Sequence, residues 1–378
     1  NPQQLTLGDV PEVWGHRRDL WTWWPDARIE GYLVYPITSI GAGLHFEFAG
    51  DAFEMLFAGH DAKITWVADG RYMATSLIET TLDNGVTGAP LSATNRFVRF
   101  EFGSRAVRRV SVYGWSAQGP CAVAIAANDQ LRAWDRSGEA SFCAMADSYA
   151  GGNGLHWRNG PFWEAAALLG IAHLDIDAIG GTGYARVATN LQTSDPSNAF
   201  AGRLANKVLA KPDLFLTAGG LNDNNSMSAV DANGNVIYAS PAEALAGFNA
   251  AVTGYYTELR AALPNCVLVA TGPWAPRQST PTDPIAQSKA DTIQAALQAA
   301  GGPWVFLDNL NGGWANSAGA GTTQGGAWQT GTGNSAAPAG DGNADLYLSA
   351  DGVHPNQAGV VYLANRLATE LRAALQAL

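Results

Sequence analysis

The chain has 378 residues, of which 47% are hydrophobic, and a formal net charge of −11. It exceeds the roughly 250–300 residues at which one hydrophobic core stops growing, so two domains are expected. The acidic balance argues against a nucleic-acid partner, whose phosphates demand clustered Lys and Arg, and the only compact basic spots are His16-Arg17-Arg18 and the run from Arg105 to Arg109.

From about residue 30 to 127 the pattern is one of short strands. "GYLVYP", "GLHFEFAG", "AFEMLFAG", "AKITWVADG", "RYMATSLIE", "RFVRFEFG", "RVSVYGW" and "CAVAIAA" are rich in aromatic and β-branched residues. Gly, Asp and Asn turn signals separate them at the spacing of a β-sandwich. Alternation in "RFVRFEFG" puts Phe97, Arg99 and Glu101 on one face and Val98, Phe100 and Phe102 on the other.

After "NDQLRAWDRSGEAS" the rhythm becomes strand, helix, strand. "SFCAMA" is followed by a helix at "PFWEAAALLG", with Pro161 and Gly170 as start and stop signals. Then come the strand "AHLDIDAIG", a helix near 197–209, the strand "DLFLTAGG" and a helix opened by Ser240-Pro241. "CVLVATG", a helix around "SKADTIQAALQAA", "WVFLDN" and a closing helix from about Gln357 complete the series. Strands alternating with helices imply a parallel sheet covered on both faces. In such sheets functional groups collect beyond the carboxyl ends of the strands. The unusual polar turns fall there: Ser148, "GGTG" at 180–183, "GGLNDNN" at 219–225, and "DGVHPN" at 351–356 before the last helix.

No apolar run reaches the roughly 20 residues of a membrane helix. The three cysteines, Cys121, Cys143 and Cys266, lack CxxC spacing, and the six histidines form no zinc-type cluster and no HExxH motif, so neither a metal nor another cofactor is expected. "DANGNVIY" at 231–238 breaks the ligand spacing of a calcium loop after Asn235 and reads as a hairpin turn.

An acyl-transfer site needs a nucleophile, a base, a group that orients the base, and donors for the oxyanion. Ser148 is a candidate nucleophile and His354 its base. Asp351, three residues before His354 on the same loop, can reach back to the other ring nitrogen and stabilise the imidazolium. The Ser148 backbone N–H, a glycine N–H of the second turn and the Asn222 side-chain amide are candidate oxyanion donors. Taken singly, each is an ordinary turn or loop residue; the four turns at one rim carry the reading.

These blocks resemble those of the SGNH, or GDSL-type, hydrolases. "ADS" at 146–148, the glycine in "IGGTG" at 179–183, "GLND" at 220–223 and "DGVH" at 351–354 follow the family's order and approximate spacing over the C-terminal 240 or so residues. The resemblance implies a flavodoxin-like three-layer α/β/α domain over 136–378, with Ser148 as nucleophile, Gly181 and Asn222 as oxyanion donors beside the Ser148 N–H, and Asp351 and His354 completing a triad. Asp147 would be a structural turn residue. Ala146 stands where the family usually has glycine, and a position needing positive φ would be strained by its methyl group. The strand-rich residues 1–135 would form an all-β, jelly-roll-like sandwich, as in two-domain carbohydrate esterases, with a carbohydrate-binding or accessory role.

The segment from Gly312 to Asn343 is dense in Gly, Ala, Ser and Thr and contains Trp314 and Trp328; ending just before Asp351, it is expected to contact substrate. Trp274, after the fourth strand of the α/β series, is expected to line an acyl or sugar pocket, and Trp14, Trp21, Trp23 and Trp24 to pack the N-terminal segment or form a sugar platform. The expected partner is an acylated carbohydrate or other small ester, and the expected reaction is hydrolysis of O-acetyl esters through an acyl-enzyme. The alternatives are a lipase, thioesterase or acyltransferase of the same fold, or a glycan-binding or virion-attachment module whose site has decayed. The chain begins at Asn1 rather than Met, which fits an extracellular or periplasmic protein or a phage virion component.

Overall fold

The computed structural model describes residues 3–6, 30–34, 39–57, 63–69, 71–73, 78–79, 96–115, 120–132, 138–151, 160–171, 173–185, 199–208, 211–223, 240–274, 284–310, 347, 349 and 354–378. Two compact units divide the chain, Asn1–Gly138 and Glu139–Leu378. Asp351, Trp314, Trp328, the tryptophans of residues 14–24 and the turn at 231–238 lie outside the described residues.

The first unit is antiparallel. Its described strands are β1 (Gln3–Thr6), β2 (Glu30–Val34), β3 (Ser39–Phe57), β4 (Lys63–Ala68), β5 (Arg71–Tyr72), β6 (Ile78–Glu79), β7 (Arg96–Trp115), β8 (Pro120–Ile125) and β9 (Gln130–Arg132). All belong to one sheet with the path β1-β8-β3-β7-β4-β5, to which β2 and β9 add on β3 and β6 on β4. Where sequence alone implies two strands on either side of Gly50-Asp51, and two more within 96–115, the chain runs through as the long strands β3 and β7. The register between them shifts from Gly50↔Ala106 to Ala52↔Glu101, with residues 102–105 of β7 opposite Asp51 alone, so the turn signal stands across from a bulge in β7 and is not a chain reversal.

The bulge changes which residues face inward. Phe46 and Phe48 are buried before it, Phe53 and Met55 after it, so the inward set passes from even to odd numbers. A straight strand would hold Phe46 and Phe53 about 23 Å apart at its usual rise, yet their ring centroids are 5.3 Å apart. The sheet therefore folds over at the bulge and packs one half of β3 against the other. Phe53 stacks on Phe100 at 4.8 Å, and Trp66, Val110, Val112, Val123 and Ile125 close the same core. Along β7, Phe100 is buried while Arg99 and Glu101 are exposed, with the alternation read from sequence.

The second unit has five parallel strands, β10 (Ser141–Ala146), β11 (His173–Ala178), β12 (Leu214–Ala218), β13 (Val267–Thr271) and β14 (Trp304–Leu307). Among the described residues its helices are α1 (Ser148–Gly151), α2 (Pro161–Leu169), α3 (Phe200–Val208), α4 (Pro241–Ala262), α5 (Pro284–Ala300) and α6 (Gln357–Ala377). The strand order β11-β10-β12-β13-β14 is the flavodoxin-like doubly wound order. Cys143, Met145, Phe215, Leu268 and Ala270 face α3, α4 and α5 in one core. The alternate residues Phe142, Ala144, Leu214, Leu216 and Val269 are equally buried, on the face that the packed pair α2 and α6 covers.

Local signals explain the helix ends. Gly170 closes α2 in the left-handed conformation at φ 75°, and Pro161 sits in its first turn. The Ser240 side chain accepts the Glu243 N–H and caps α4. With β11 on one side of β10 and β12 on the other, the chain reverses its winding at β10. In sheets of this order ligands bind outside the carboxyl ends of the strands, at that reversal, which here falls between β10 and β12.

Candidate active site

Ser148 stands at that reversal, one residue beyond Asp147, where β10 ends and α1 begins. The Asp147 carboxyl shapes the turn: its Oδ1 accepts the Tyr149 N–H at 2.9 Å, and the Ala150 N–H reaches the Asp147 carbonyl at 3.2 Å. Asp and Ser are suited to such turns because a short polar side chain can bond its own backbone two residues on. Ala146 poses no strain. It lies in the regular strand β10, outside the residues of positive φ, with Ala178 and Ala218 as its register partners, so its methyl group faces small neighbours.

His354 is carried by the loop before α6. Its carbonyl accepts the Ser349 N–H at 2.8 Å and the Ser349 hydroxyl at 3.0 Å, while the Asn356 N–H bonds the Tyr347 carbonyl at 2.8 Å. Asn356 then caps α6 through its Oδ1, which accepts the Gly359 N–H at 3.0 Å. Pro355 thus precedes the cap and is not part of the first helical turn. These bonds fix a loop that brings His354 Nε2 to 2.8 Å from Ser148 Oγ across 206 positions of sequence. An imidazole at that distance can take the hydroxyl proton when the ring nitrogen facing it is unprotonated. Both residues are half-buried, so the hydroxyl is reachable.

The second turn follows β11. Thr182 N–H bonds the Ile179 carbonyl at 3.3 Å, closing a four-residue turn with Gly181 in its third position at φ 77°. That φ explains the glycine, since an L side chain is disfavoured there. The third turn, after β12, carries Asn222, whose Nδ2 donates to the Thr182 carbonyl at 2.9 Å and to Asp147 Oδ2 at 3.1 Å. The amide nitrogen therefore bridges the loops that hold Ser148 and Gly181. Asp223 ties the third turn to the segment just after the second, accepting the Tyr184 and Ala185 N–H groups at 2.9 and 2.8 Å. A Cβ on Gly183 would collide with that carboxylate, so glycine is required for the close approach.

Asp147 is 2% exposed. Burial pushes its carboxyl up from an ordinary 3.8 to about 7; the Tyr149 N–H and Arg203 pull it down, and Asp223 pushes it further up. Both of its oxygens accept N–H groups, the arrangement suited to the ionised form.

Trp274 does not line a pocket. It is 2% exposed, its indole N–H donates to Thr271 Oγ1 at 2.7 Å, and its ring packs edge-on against Tyr149 and Phe162. A buried hydroxyl acceptor is what allows an indole to be enclosed so completely. It supports Tyr149, whose ring lies 6.0 Å from that of His354.

Thr182 and Arg203 are absent from the sequence reading of the site. Arg203 on α3 pairs with Asp177 on β11, and Lys207, one helical turn on, pairs with Asp175 at 2.6 Å. A pair of acids two apart in a buried strand, followed by two bases four apart in the next helix, is the signal that marks them. Burial pulls the Lys207 ammonium down, but Asp175 and Asp177 outweigh it and hold the group above its ordinary range. Among the described residues no three His, Cys, Asp or Glu side chains converge so as to hold a metal ion.

No protein-family model matches the chain. No curated protein matches it by sequence either. Solved structures do match. A family two carbohydrate esterase from Cellvibrio japonicus is similar over 100% of this chain and 98% of its own, with a TM-score of 0.57 and 13% identity. An acetyl xylan esterase from the rumen bacterium Butyrivibrio proteoclasticus covers 99% of both chains at a TM-score of 0.56 and 11% identity. A salicylyl-acyltransferase from a tetracycline biosynthetic pathway covers 88% of this chain and 82% of its own, at a TM-score of 0.54 and 15% identity.

Proposed function

We propose that this chain, which has the two-domain fold of the SGNH-type carbohydrate esterases, is a serine esterase that removes O-acetyl groups from a polysaccharide. The observation that carries the reading is the 2.8 Å contact of His354 Nε2 with Ser148 Oγ, at the switch point of the sheet and beside the Asn222 amide. In the reaction the Ser148 oxygen attacks the ester carbonyl as His354 takes its proton, and the imidazolium then protonates the departing sugar oxygen. Water, activated by the same imidazole, attacks the acyl-enzyme, releasing acetate and restoring the Ser148 hydroxyl. Asp351 is assigned the part of orienting His354.

The oxyanion would draw on the N–H groups of Ser148 and Gly181 and on Asn222 Nδ2. The resting amide is already engaged at 2.9 and 3.1 Å, so the longer bond, to Asp147, is the one an oxyanion would share. Such donors act mainly in the transition state, where the oxygen carries its charge. A polysaccharide is favoured over a lipid because the fold is shared with carbohydrate esterases, and the first unit is assigned an accessory, carbohydrate-associated role. Secretion fits such a substrate.

Hydrolysis of 4-nitrophenyl acetate and butyrate by the wild type and Ser148→Ala, with EDTA present, tests the reading. Turnover in the wild type that favours acetate, and a loss of at least about 10³-fold in the variant, is expected. Unchanged turnover in Ser148→Ala would falsify it. The likeness to an acyltransferase favours a second reading, transfer of the acyl group to an alcohol. Ester formation outpacing acetate release when a sugar or polyol is added would select it.

A further inference from the structure

We propose that Arg203 is a positioning residue for the oxyanion side of this site, an inference that rests on the serine-esterase reading. Arg203 is 0% exposed and lies on α3, outside the four site turns. Its guanidinium reaches Asp177, Ala146 and Thr182, on two segments of the chain. Nη1 pairs with Asp177 of β11. Nη2 donates to the Ala146 carbonyl at 3.3 Å and to Thr182 Oγ1 at 3.2 Å.

Those acceptors are where the donors begin. Ala146 is the last residue of β10, and its carbonyl also receives the Ile179 N–H at 3.2 Å, so it joins the nucleophile turn to the glycine turn. Thr182 Oγ1 donates to the Ile179 carbonyl at 2.7 Å, which aims the hydroxyl lone pairs at Arg203. The Thr182 carbonyl in turn holds Asn222 Nδ2 at 2.9 Å. One planar fork thereby sets the spacing of the chain segments bearing Ser148, Gly181 and Asn222. A lysine at this place could keep the charge opposite Asp177, but it could not hold both acceptors in the fixed plane of a guanidinium.

The neighbouring pair Lys207–Asp175 serves as an internal control. It joins the same helix to the same strand, one turn further from the site, and Asp175 lies level with Cys143, three residues before Ala146. If the buried pairs served stability alone, both would matter in the same way.

The test measures kcat and KM for 4-nitrophenyl acetate, together with the thermal midpoint, in Arg203→Lys and in two double variants. Arg203→Leu with Asp177→Leu removes the first pair without leaving an unpaired buried charge; Lys207→Leu with Asp175→Leu does so for the second. The expected result is a fall in kcat of about 10- to 100-fold in both Arg203 variants with KM within about twofold, the size of effect produced by a small misplacement of catalytic groups. The Lys207–Asp175 variant is expected to keep its kcat whatever its midpoint. Retention of kcat in a folded Arg203→Lys, or an equal fall in the Lys207–Asp175 variant, overturns the proposal. A wild type without Ser148-dependent turnover overturns the esterase reading itself and the proposal with it, so the two failures are told apart by the wild-type rate.

Discussion

Asp147 holds two donors that matter for different reasons, the Tyr149 N–H in the turn that bears Ser148 and the Asn222 amide proposed as an oxyanion donor. In Asp147→Asn one of the two donors would meet an NH2 group, whichever way the new amide turned. A fall in kcat of about tenfold or more is expected in steady-state kinetics, the size of a weakened oxyanion donor. Stability should move the other way with pH. The carboxyl is raised from 3.8 to about 7 by burial, so the folded protein holds this proton more tightly than the unfolded chain. Between those values stability falls as pH rises, by an amount on the order of a few kcal/mol when complete. Relative to Asp147→Asn, the wild type should therefore lose ground in denaturant unfolding between pH 5 and pH 8. A difference independent of pH would show that the carboxyl is not raised.

At the scale of elements, the turn after β11 depends on one conformational fact. Gly181 has φ 77°, which costs an alanine about 1–2 kcal/mol. Gly181→Ala must either bear that strain or flip the peptide that offers the proposed oxyanion N–H. A loss of kcat together with a lowered thermal midpoint is expected, and an active variant of unchanged midpoint would remove Gly181 from the proposed donors. Element identity is largely legible from sequence. Gly170 ends α2, Ser240 caps α4, and Asn356 starts α6 one residue beyond Pro355. The long strands β3 and β7 are not legible in the same way. Gly50-Asp51 has the composition of a turn, and only the pairing with β7, whose residues 102–105 bulge opposite Asp51, shows it to lie inside one strand.

For the molecule as a whole, the described candidate residues Ser148, Gly181, Asn222 and His354 all belong to the unit Glu139–Leu378, which has its own hydrophobic core. A fragment of residues 139–378 is expected to unfold cooperatively and to hydrolyse 4-nitrophenyl acetate at a rate within about tenfold of the full chain, while losing activity on a polysaccharide if the first unit serves to engage it. Loss of both activities in a folded fragment would bring the first unit into the chemistry. The acidic balance of the chain is consistent with an uncharged substrate class, and within the basic run Arg105 and Arg109 are turned to the carboxylates of Asp129 and Glu47.

Strand-helix alternation, cap residues and the four polar turns follow from the order of amino acids, because hydrophobic period, backbone freedom and hydrogen-bonding side chains act over a few residues. These suffice for a doubly wound α/β unit and for Ser148, Gly181, Asn222 and His354 as candidates at one rim. Tertiary structure alone decided that Trp274 is enclosed beneath Tyr149, since a tryptophan after a strand reads the same whether its acceptor is water or Thr271. It alone decided that Asp147 reaches across 75 positions to Asn222, and that Arg203 holds Ala146 and Thr182. Such bonds are set by distances between segments remote in sequence, which no local pattern encodes.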